Sequence, residues 1–354
     1  MRRVPVHKLK AGMKLARPVF IKGGRILLNA GCTLKESYIN RLSEFGITHV
    51  YVEDERIADV RVEEIVNEET RLRAAEIVRK AVANTRFGMR LNVEEVKNIV
   101  SELMDQILSH KETVAYLSEI RIIGEPLFHH SVNVAVYSIF TGLLRGYDER
   151  KLRELGTGAL LHDIGKSKLP AHLLGAQGPL SGPQLEEMKN HTVYGFELLR
   201  KEPDFGLLVA HIAFQHHENF DGSGYPRGLK GEEIHEYARI TAVGNTYDRL
   251  VGGLEGEKVP PHQAVEYIVA QSGRIFDPLI VKLFSTNIAV YPVGSMVRLT
   301  TGETGVVIHV PKNYPTRPKV RILYDKEGNP YHKNFPEVDL LQELTVFIEE
   351  VLEE

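Results

Sequence analysis

The chain has 354 residues, a net charge of −3 from 44 basic and 47 acidic side chains, and 15 histidines, eight of them between His129 and His217. That length suggests two or three domains, and the balanced charge lacks the basic excess of a protein that binds polymeric nucleic acid. A single cysteine, Cys32, excludes an intramolecular disulfide and a thiolate metal cluster and fits a reducing cytoplasm.

Residues 1–56 read as a small α+β module. Lys22-Gly23-Gly24-Arg25 between apolar stretches predicts a hairpin turn. Thr33-Leu34-Lys35-Glu36 has the spacing of a capping box opening a helix to about Phe45, which Gly46 ends. Ile47–Val52 then alternates like a strand. Residues 57–112 contain no proline and carry apolar residues at helical spacing. They read as long amphipathic helices, a linker or stalk that offers a homodimer contact, or helices packed on their own neighbours.

Residues 113–288 continue helical between glycine and proline loops. Val132–Leu144 is the most apolar run, but Asn133, Ser138, Thr141 and Gly142 interrupt it. No segment therefore reaches the roughly 18–20 uninterrupted apolar residues of a membrane helix, and no membrane partner is expected. Lys8, Lys10 and Lys14 break any signal-peptide core, so the chain reads as cytosolic. Ser181 stands as the N-cap of a further helix, residues 218–232 read as a loop, and 236–251, 260–272 and 277–286 as helices. From 289 to 354 the pattern turns to strands at Ser295–Thr300, Thr304–Val310 and Lys319–Tyr324, a small β-barrel-like appendix. The last stretch, Val338–Glu354, fits strand and helix equally.

The chemistry concentrates in the histidines. Leu160-Leu161-His162-Asp163-Ile164-Gly165-Lys166 runs an apolar helix into adjacent imidazole and carboxylate groups, which can hold one divalent ion or bridge two. Lys166 shares a face with His162 if the helix continues through Gly165. His191, His216-His217 and His130 each stand at an apolar helix edge, with His129 beside His130 and Glu125 about one turn before it. One buried histidine is usually just hydrogen-bonded, but several separate elements each delivering one suggest a metal centre. With His and carboxylate donors and no sulfur, the set favours iron, manganese or zinc. The segment from Asp221 to Leu229 packs glycines and Pro226 around Tyr225 and Arg227, which suits a ligand with a planar base and a phosphate.

These strings together resemble the HD-GYP family of bacterial metal-dependent phosphodiesterases acting on cyclic di-GMP. The matching stretches are His130-Ser131-Val132-Asn133-Val134-Ala135, His162-Asp163-Ile164-Gly165-Lys166, His191, His216-His217-Glu218, Asp221-Gly222-Ser223-Gly224-Tyr225-Pro226 and Phe276-Asp277-Pro278. The resemblance spans residues 113–288. It implies a mainly α protein, an all-helical HD-superfamily core flanked by the two small modules. It also implies two or three divalent ions, iron or manganese, and hydrolysis of cyclic di-GMP to pGpG or GMP. By position, His162, Asp163, His191, His216 and His217 are the implied ligands, with His130 and Glu125 for a third ion. Lys166 and Asp163 are the implied catalytic pair, and Asp221, Gly222, Gly224, Tyr225, Pro226 and Arg227 the substrate loop. Two positions depart from the family. Asn245 stands where a metal-binding aspartate is expected, and the arginine-rich segment that usually follows is replaced by Gly252–Pro260, leaving Lys258 to meet a phosphate. Those departures motivate two alternatives: a weak or degenerate member that binds cyclic di-GMP or a partner as an effector, and a phosphodiesterase for another cyclic dinucleotide.

Overall fold

The computed structural model describes residues 1–21, 25–47, 49–60, 64–110, 126–174, 180–254 and 256–352. The hairpin turn expected at Lys22–Gly24 and the candidate ligand Glu125 lie outside them. The described chain forms two compact units, one from residues 1–64 and 286–354, the other from 65–111 and 127–285.

In the first unit, β1 (Arg2–Pro5) pairs antiparallel with β4 (His49–Val52), and β2 (Val19–Ile21) with β3 (Arg25–Leu28). The helix α1 (Glu36–Glu44) covers them, burying Ile39 and Leu42 against Leu15, Leu34, Val50 and Val52. The capping box does not form. Leu34 is drawn into the core, which keeps the chain extended through Lys35, the actual N-cap, and Thr33 bridges Lys14 instead. The carboxy-terminal segment supplies β5 (Met296–Leu299), β6 (Thr304–His309), β7 (Lys319–Tyr324), β8 (Glu337–Asp339) and β9 (Ile348–Leu352). They form one antiparallel sheet in the order β8-β7-β6-β5-β9, so the ambiguous last stretch is a strand. The sheet is open, with β8 and β9 at its edges, where a barrel-like closure had been expected. Alternation gives it two apolar faces. Val297, Leu299, Val307, Val320 and Ile322 pack on one side, and Met296, Val306 and Leu323 pack on Ile57 and Val60 on the other.

The second unit is helical. α2 (Glu68–Arg86) and α3 (Val93–Ser109) start at Asn67 and Asn92, whose side chains accept the Thr70 and Glu95 amides. Both helices pack within this unit: α3 lies on α5 (Glu149–Leu160), and the end of α2 meets the segment after α5. There the Thr85 hydroxyl lies 2.9 Å from that of Ser167. α4 (Pro126–Leu144) is the central helix, with Val132, Val134, Val136, Ile139 and Phe140 fully buried. Its stretch Leu127–Leu144 is long and apolar enough to cross a membrane by length and composition, with mean hydropathy 1.2, but 78% of it is buried inside the protein. A helix apolar all round belongs in a core when other helices surround it.

The remaining helices are α6 (Ala171–Leu174), α7 (Gly182–Lys189), α8 (His191–Leu199), α9 (Leu207–Gln215), α10 (Glu236–Gly252), α11 (Pro261–Ala270) and α12 (Pro278–Ser285). Ser181 is the N-cap of α7, as expected, and its amide donates to Gln184 Oε1 at 2.9 Å. α5 does not continue through Gly165: it ends at Leu160, and Ile164–Lys168 is a separate 3₁₀ turn. This turn packs on α8, and α8 packs on α9. The ends of α5, α8 and α9 thereby meet in space.

Candidate metal centre

His162 follows α5, His191 opens α8, and His216 and His217 follow α9. Each of three imidazoles is anchored through Nδ1 to a carbonyl of its own helical turn. His162 meets Ala159 O at 2.7 Å, His191 meets Met188 O at 2.7 Å, and His216 meets Ala213 O at 2.9 Å. A carbonyl only accepts, so Nδ1 carries the proton and Nε2 presents its lone pair to the interior. The His191 and His216 Nε2 atoms then face each other at 3.3 Å, and Asp163 Oδ1 lies 3.4 Å from the first and 3.8 Å from the second.

His130 comes from the first turns of α4. Its Nδ1 bonds Asp248 Oδ2 at 2.7 Å, while the other carboxylate oxygen accepts from Asn133 Nδ2 at 2.8 Å. Both oxygens of Asp248 are thus committed to holding α4 and α10 together, and it orients His130 from behind. His130, His162 and Asp163 form one group of convergent donor atoms, and His191, His216 and His217 another, each within 4.8 Å.

Burial sets the protonation states. It pushes His191 down to about 4, and it holds His216 and His217 well below the usual imidazole value, with help from neighbouring imidazoles. Burial also lowers His130 against the pull of Asp248. Burial alone would raise Asp163, but the Lys166 ammonium, 2.6 Å from Oδ2, and the imidazoles around it hold its carboxyl well below the ordinary range. At neutral pH these four imidazoles are neutral and the carboxylate is charged. His162 Nε2 and Asp163 Oδ1 are buried with no hydrogen-bond partner. Such atoms cost roughly 1–3 kcal/mol each when left unpaired. Lone pairs facing one another beside an anionic oxygen fit a divalent cation, and the residues present match that chemistry.

Lys166 reaches Asp163 rather than sharing a helix face with His162, because the chain tightens into the 3₁₀ turn. The loop from Asp221 lies beside His217. Tyr225 stacks on that imidazole, ring centres 4.7 Å apart and planes 15° apart, and its amide donates to His217 O at 3.1 Å. Gly224 permits this fold-back: a Cβ would sit 2.2 Å from the Asn219 nitrogen and 2.5 Å from the His217 oxygen. Gly222 turns the chain at φ 88°, and Asp221 caps that turn by accepting the Ser223 amide at 2.9 Å. Pro226, Arg227 and Lys258 are exposed. Asn245 is buried and lines a cavity of about 380 Å³ together with His216 and His217. Phe276 lines it too, while Asp277 caps α12 and pairs with Arg239.

Sequence reasoning assigned no role to three residues that shape this site: Asp248, Arg249 and Glu218. Asp248 and Arg249 follow Asn245 by three and four residues, the spacing that shares a helix face, and Arg249 lines the cavity whereas Arg227 and Lys258 do not. Glu218 is 2% exposed, and its two oxygens accept the amides of Arg227 at 2.8 Å and Leu229 at 2.9 Å. The signal was an acidic residue leading directly into a glycine-rich loop. Glu218→Ala leaves two amides without their charged acceptor and is expected to destabilise the unit by about 2–4 kcal/mol. Thermal unfolding reads that loss, and hydrogen exchange reads lost protection at Arg227 and Leu229; unchanged protection would contradict the anchoring role.

Comparison with known proteins agrees with this architecture. The family model described as HD domain matches residues 103–280, and a second, described as KOW domain associated with HD domain, matches 296–354. The chain is 26% identical over 360 residues to the cyclic di-GMP phosphodiesterase PA4108 of Pseudomonas aeruginosa, covering 92% of this chain and 85% of that protein. It is 32% identical over 213 residues to a 3′3′-cGAMP-specific phosphodiesterase of Vibrio cholerae, covering 59% of this chain but only 40% of the relative. The fold is similar to the solved structure of Bd1817, an HDG"Y"P protein from Bdellovibrio bacteriovorus, with TM-score 0.54 and 20% identity over 80% of this chain and 97% of that one. With its donor cluster in place and half of its length matched by the family model, the chain belongs to the HD-domain family.

Proposed function

We propose that the second unit is a metal-dependent phosphodiesterase for a cyclic dinucleotide, and that the substrate is cyclic di-GMP. The observation that carries this is the inward-facing donor set of His162, Asp163, His191 and His216, two of whose buried atoms have no protein partner, in a chain whose relatives are named for that reaction. His130, His162, Asp163, His191, His216 and His217 would hold two or three divalent ions, iron or manganese. When bound, such ions supply Lewis acidity toward a phosphoryl oxygen and make water a nucleophile near neutral pH. The chain's own groups do the rest. Nδ1 anchoring fixes the imidazole tautomers before substrate arrives. Lys166, tied to Asp163, offers an ammonium to a phosphoryl oxygen as charge builds there. The Tyr225 loop forms a wall beside His217, suited to a nucleotide base. The products would be pGpG, or GMP after a second cut.

Protein loaded anaerobically with iron or manganese is expected to consume cyclic di-GMP, and chelation to stop it. With ion at about 100 times its dissociation constant, binding adds about 2.7 kcal/mol, so chelation should lower Tm by about 5–10 °C. No turnover of cyclic di-GMP with either metal would refute the assignment.

One observation favours a second reading, a binding module without turnover. Asn245 brings a neutral amide where the family expectation is a carboxylate, and it is buried at the cavity. Binding of cyclic di-GMP without hydrolysis, together with turnover gained by Asn245→Asp, would select that reading. Faster cleavage of 3′3′-cGAMP than of cyclic di-GMP would instead reassign the substrate.

A further inference from the structure

The 3₁₀ turn Ile164–Lys168 carries Lys166 to Asp163 and is seated against both α8 and α2. On the α8 side the seat is the close backbone approach at Gly165. On the α2 side it is polar, and Thr85 makes both of its bonds. Thr85 and Ser167 are each 3% exposed. The Thr85 hydroxyl lies 3.0 Å from the Ala81 carbonyl oxygen, 3.0 Å from that of Val82 and 2.9 Å from the Ser167 hydroxyl. A carbonyl only accepts, so the single Thr85 proton goes to its own helix, and Ser167 donates to Thr85 Oγ1. Lys168 Nζ donates to the Thr85 carbonyl oxygen at 2.5 Å. That carbonyl belongs to the last turn of α2, where an ammonium also meets the negative end of the helix dipole.

Ser167 and Lys168 directly follow Lys166, so both bonds act within two residues of the backbone that carries the ammonium. The turn itself is held by single bonds: the Lys166 amide donates to Asp163 O at 2.9 Å and the Leu169 amide to Lys166 O at 3.1 Å. A lysine stem is flexible, so the reach of its ammonium is set by where the backbone holds its Cα. Misplacing a group that meets charge in the transition state by about 1 Å can cost about a hundredfold in rate. Thr85 stands on a helix that precedes residues 103–280, the span matched by the HD-domain model, so the attachment comes from outside that span.

We propose that Thr85 is a positioning residue for phosphodiester cleavage. By holding Ser167 through its hydroxyl and Lys168 through its carbonyl, it fixes the 3₁₀ turn so that the Lys166 ammonium stays at Asp163 Oδ2, where a phosphoryl oxygen would meet it. Thr85 acts through Lys166 and touches neither substrate nor metal, and this role rests on the phosphodiesterase reading above.

The test uses the full chain as wild type, Thr85→Val, Thr85→Ser, Ser167→Ala and the double variant Thr85→Val/Ser167→Ala. Steady-state kinetics on cyclic di-GMP, metal content, Tm and hydrogen exchange at the Lys166 and Leu169 amides are measured for each. Thr85→Val keeps the shape of the side chain but strands the Ser167 hydroxyl. It is expected to lower kcat about tenfold or more with KM and metal content unchanged, and to lower protection of the two amides about tenfold. Thr85→Ser restores the hydroxyl and should restore most of both. In the double variant no hydroxyl is stranded, so Tm should return toward wild type while kcat stays low. Recovery of kcat together with Tm would make the role one of stability alone and overturns the proposal. Should Thr85→Val fail to fold, Ser167→Ala removes the same bond and decides by the same readings. Wild-type kcat in the folded variants overturns the proposal, as does metal loss that parallels the fall in kcat. If loaded wild-type protein does not turn over cyclic di-GMP, the hydrolytic reading falls, and hydrogen exchange alone then judges the attachment: unchanged protection overturns it, and lost protection upholds it.

Discussion

Gly165→Ala is expected to unfold the metal centre. A Cβ at this position would lie 1.9 Å from the His191 carbonyl oxygen and 2.4 Å from the Gly195 nitrogen. Both are backbone atoms of α8, so no rotamer change relieves the clash. The 3₁₀ turn and α8 must move apart, and with them Asp163 and His191, now 3.4 Å from each other. Overpacking against a flexible side chain costs about 1–3 kcal/mol. Against two backbone atoms of a packed helix the cost should exceed that range, about 4 kcal/mol, at the diagnostic end of single-substitution effects. The expected result is a Tm lower by about 10 °C and loss of bound metal after purification. A variant with wild-type Tm and full metal content would show that α8 is not seated as described.

Asp163→Asn is expected to leave the fold standing and to empty the centre. The amide has the carboxylate's shape but not its charge. It would turn either an N–H₂ toward Lys166 or an N–H₂ toward the imidazoles, and one side is then mismatched. Asp163 is the only acidic residue in the two donor groups found among the described residues. Without it the centre consists of neutral imidazoles beside the Lys166 ammonium, a poor seat for a cation. Metal content should fall to about a tenth or less, and kcat/KM by about three orders of magnitude, equivalent to about 4 kcal/mol of transition-state stabilisation. Far-ultraviolet circular dichroism should be unchanged. Retention of both metal and activity would remove Asp163 from the centre.

Local signals were readable where a single principle decides. The helices α10, α11 and α12 lie close to their expected bounds, because glycine and proline punctuate them strongly. The strands β5, β6 and β7 follow plain alternation. The failures come where tertiary packing overrides a local motif. Thr33 has the spacing to cap α1, but burial of Leu34 keeps the chain extended past it. The end of α5 could not be placed from residues 160–166, since nothing in that string announces the tightening at Ile164 that turns Lys166 onto Asp163. The histidines could be singled out because imidazoles at apolar helix edges are costly without a task. Arg249 escaped notice because an arginine near a helix end usually stands on the open surface, and only the folded structure places this one on the cavity wall. The order of strands in the carboxy-terminal sheet was also beyond reach, since β9 pairs with β5 across more than forty intervening residues.

The attachment of the Tyr225 loop bears on how a ligand travels. Tyr225 bonds back to the His217 carbonyl, Glu218 holds the amides of Arg227 and Leu229, and the Phe220 and Asp221 amides are tied to Ile275 and Arg274. Opening this loop as a lid would break all of these together and drag His217 with it. Traffic in and out of the cavity should therefore pass over the α10 and α11 rim while the loop stays still. Turnover would then be paced by ligand chemistry and departure, with no gating step from this segment.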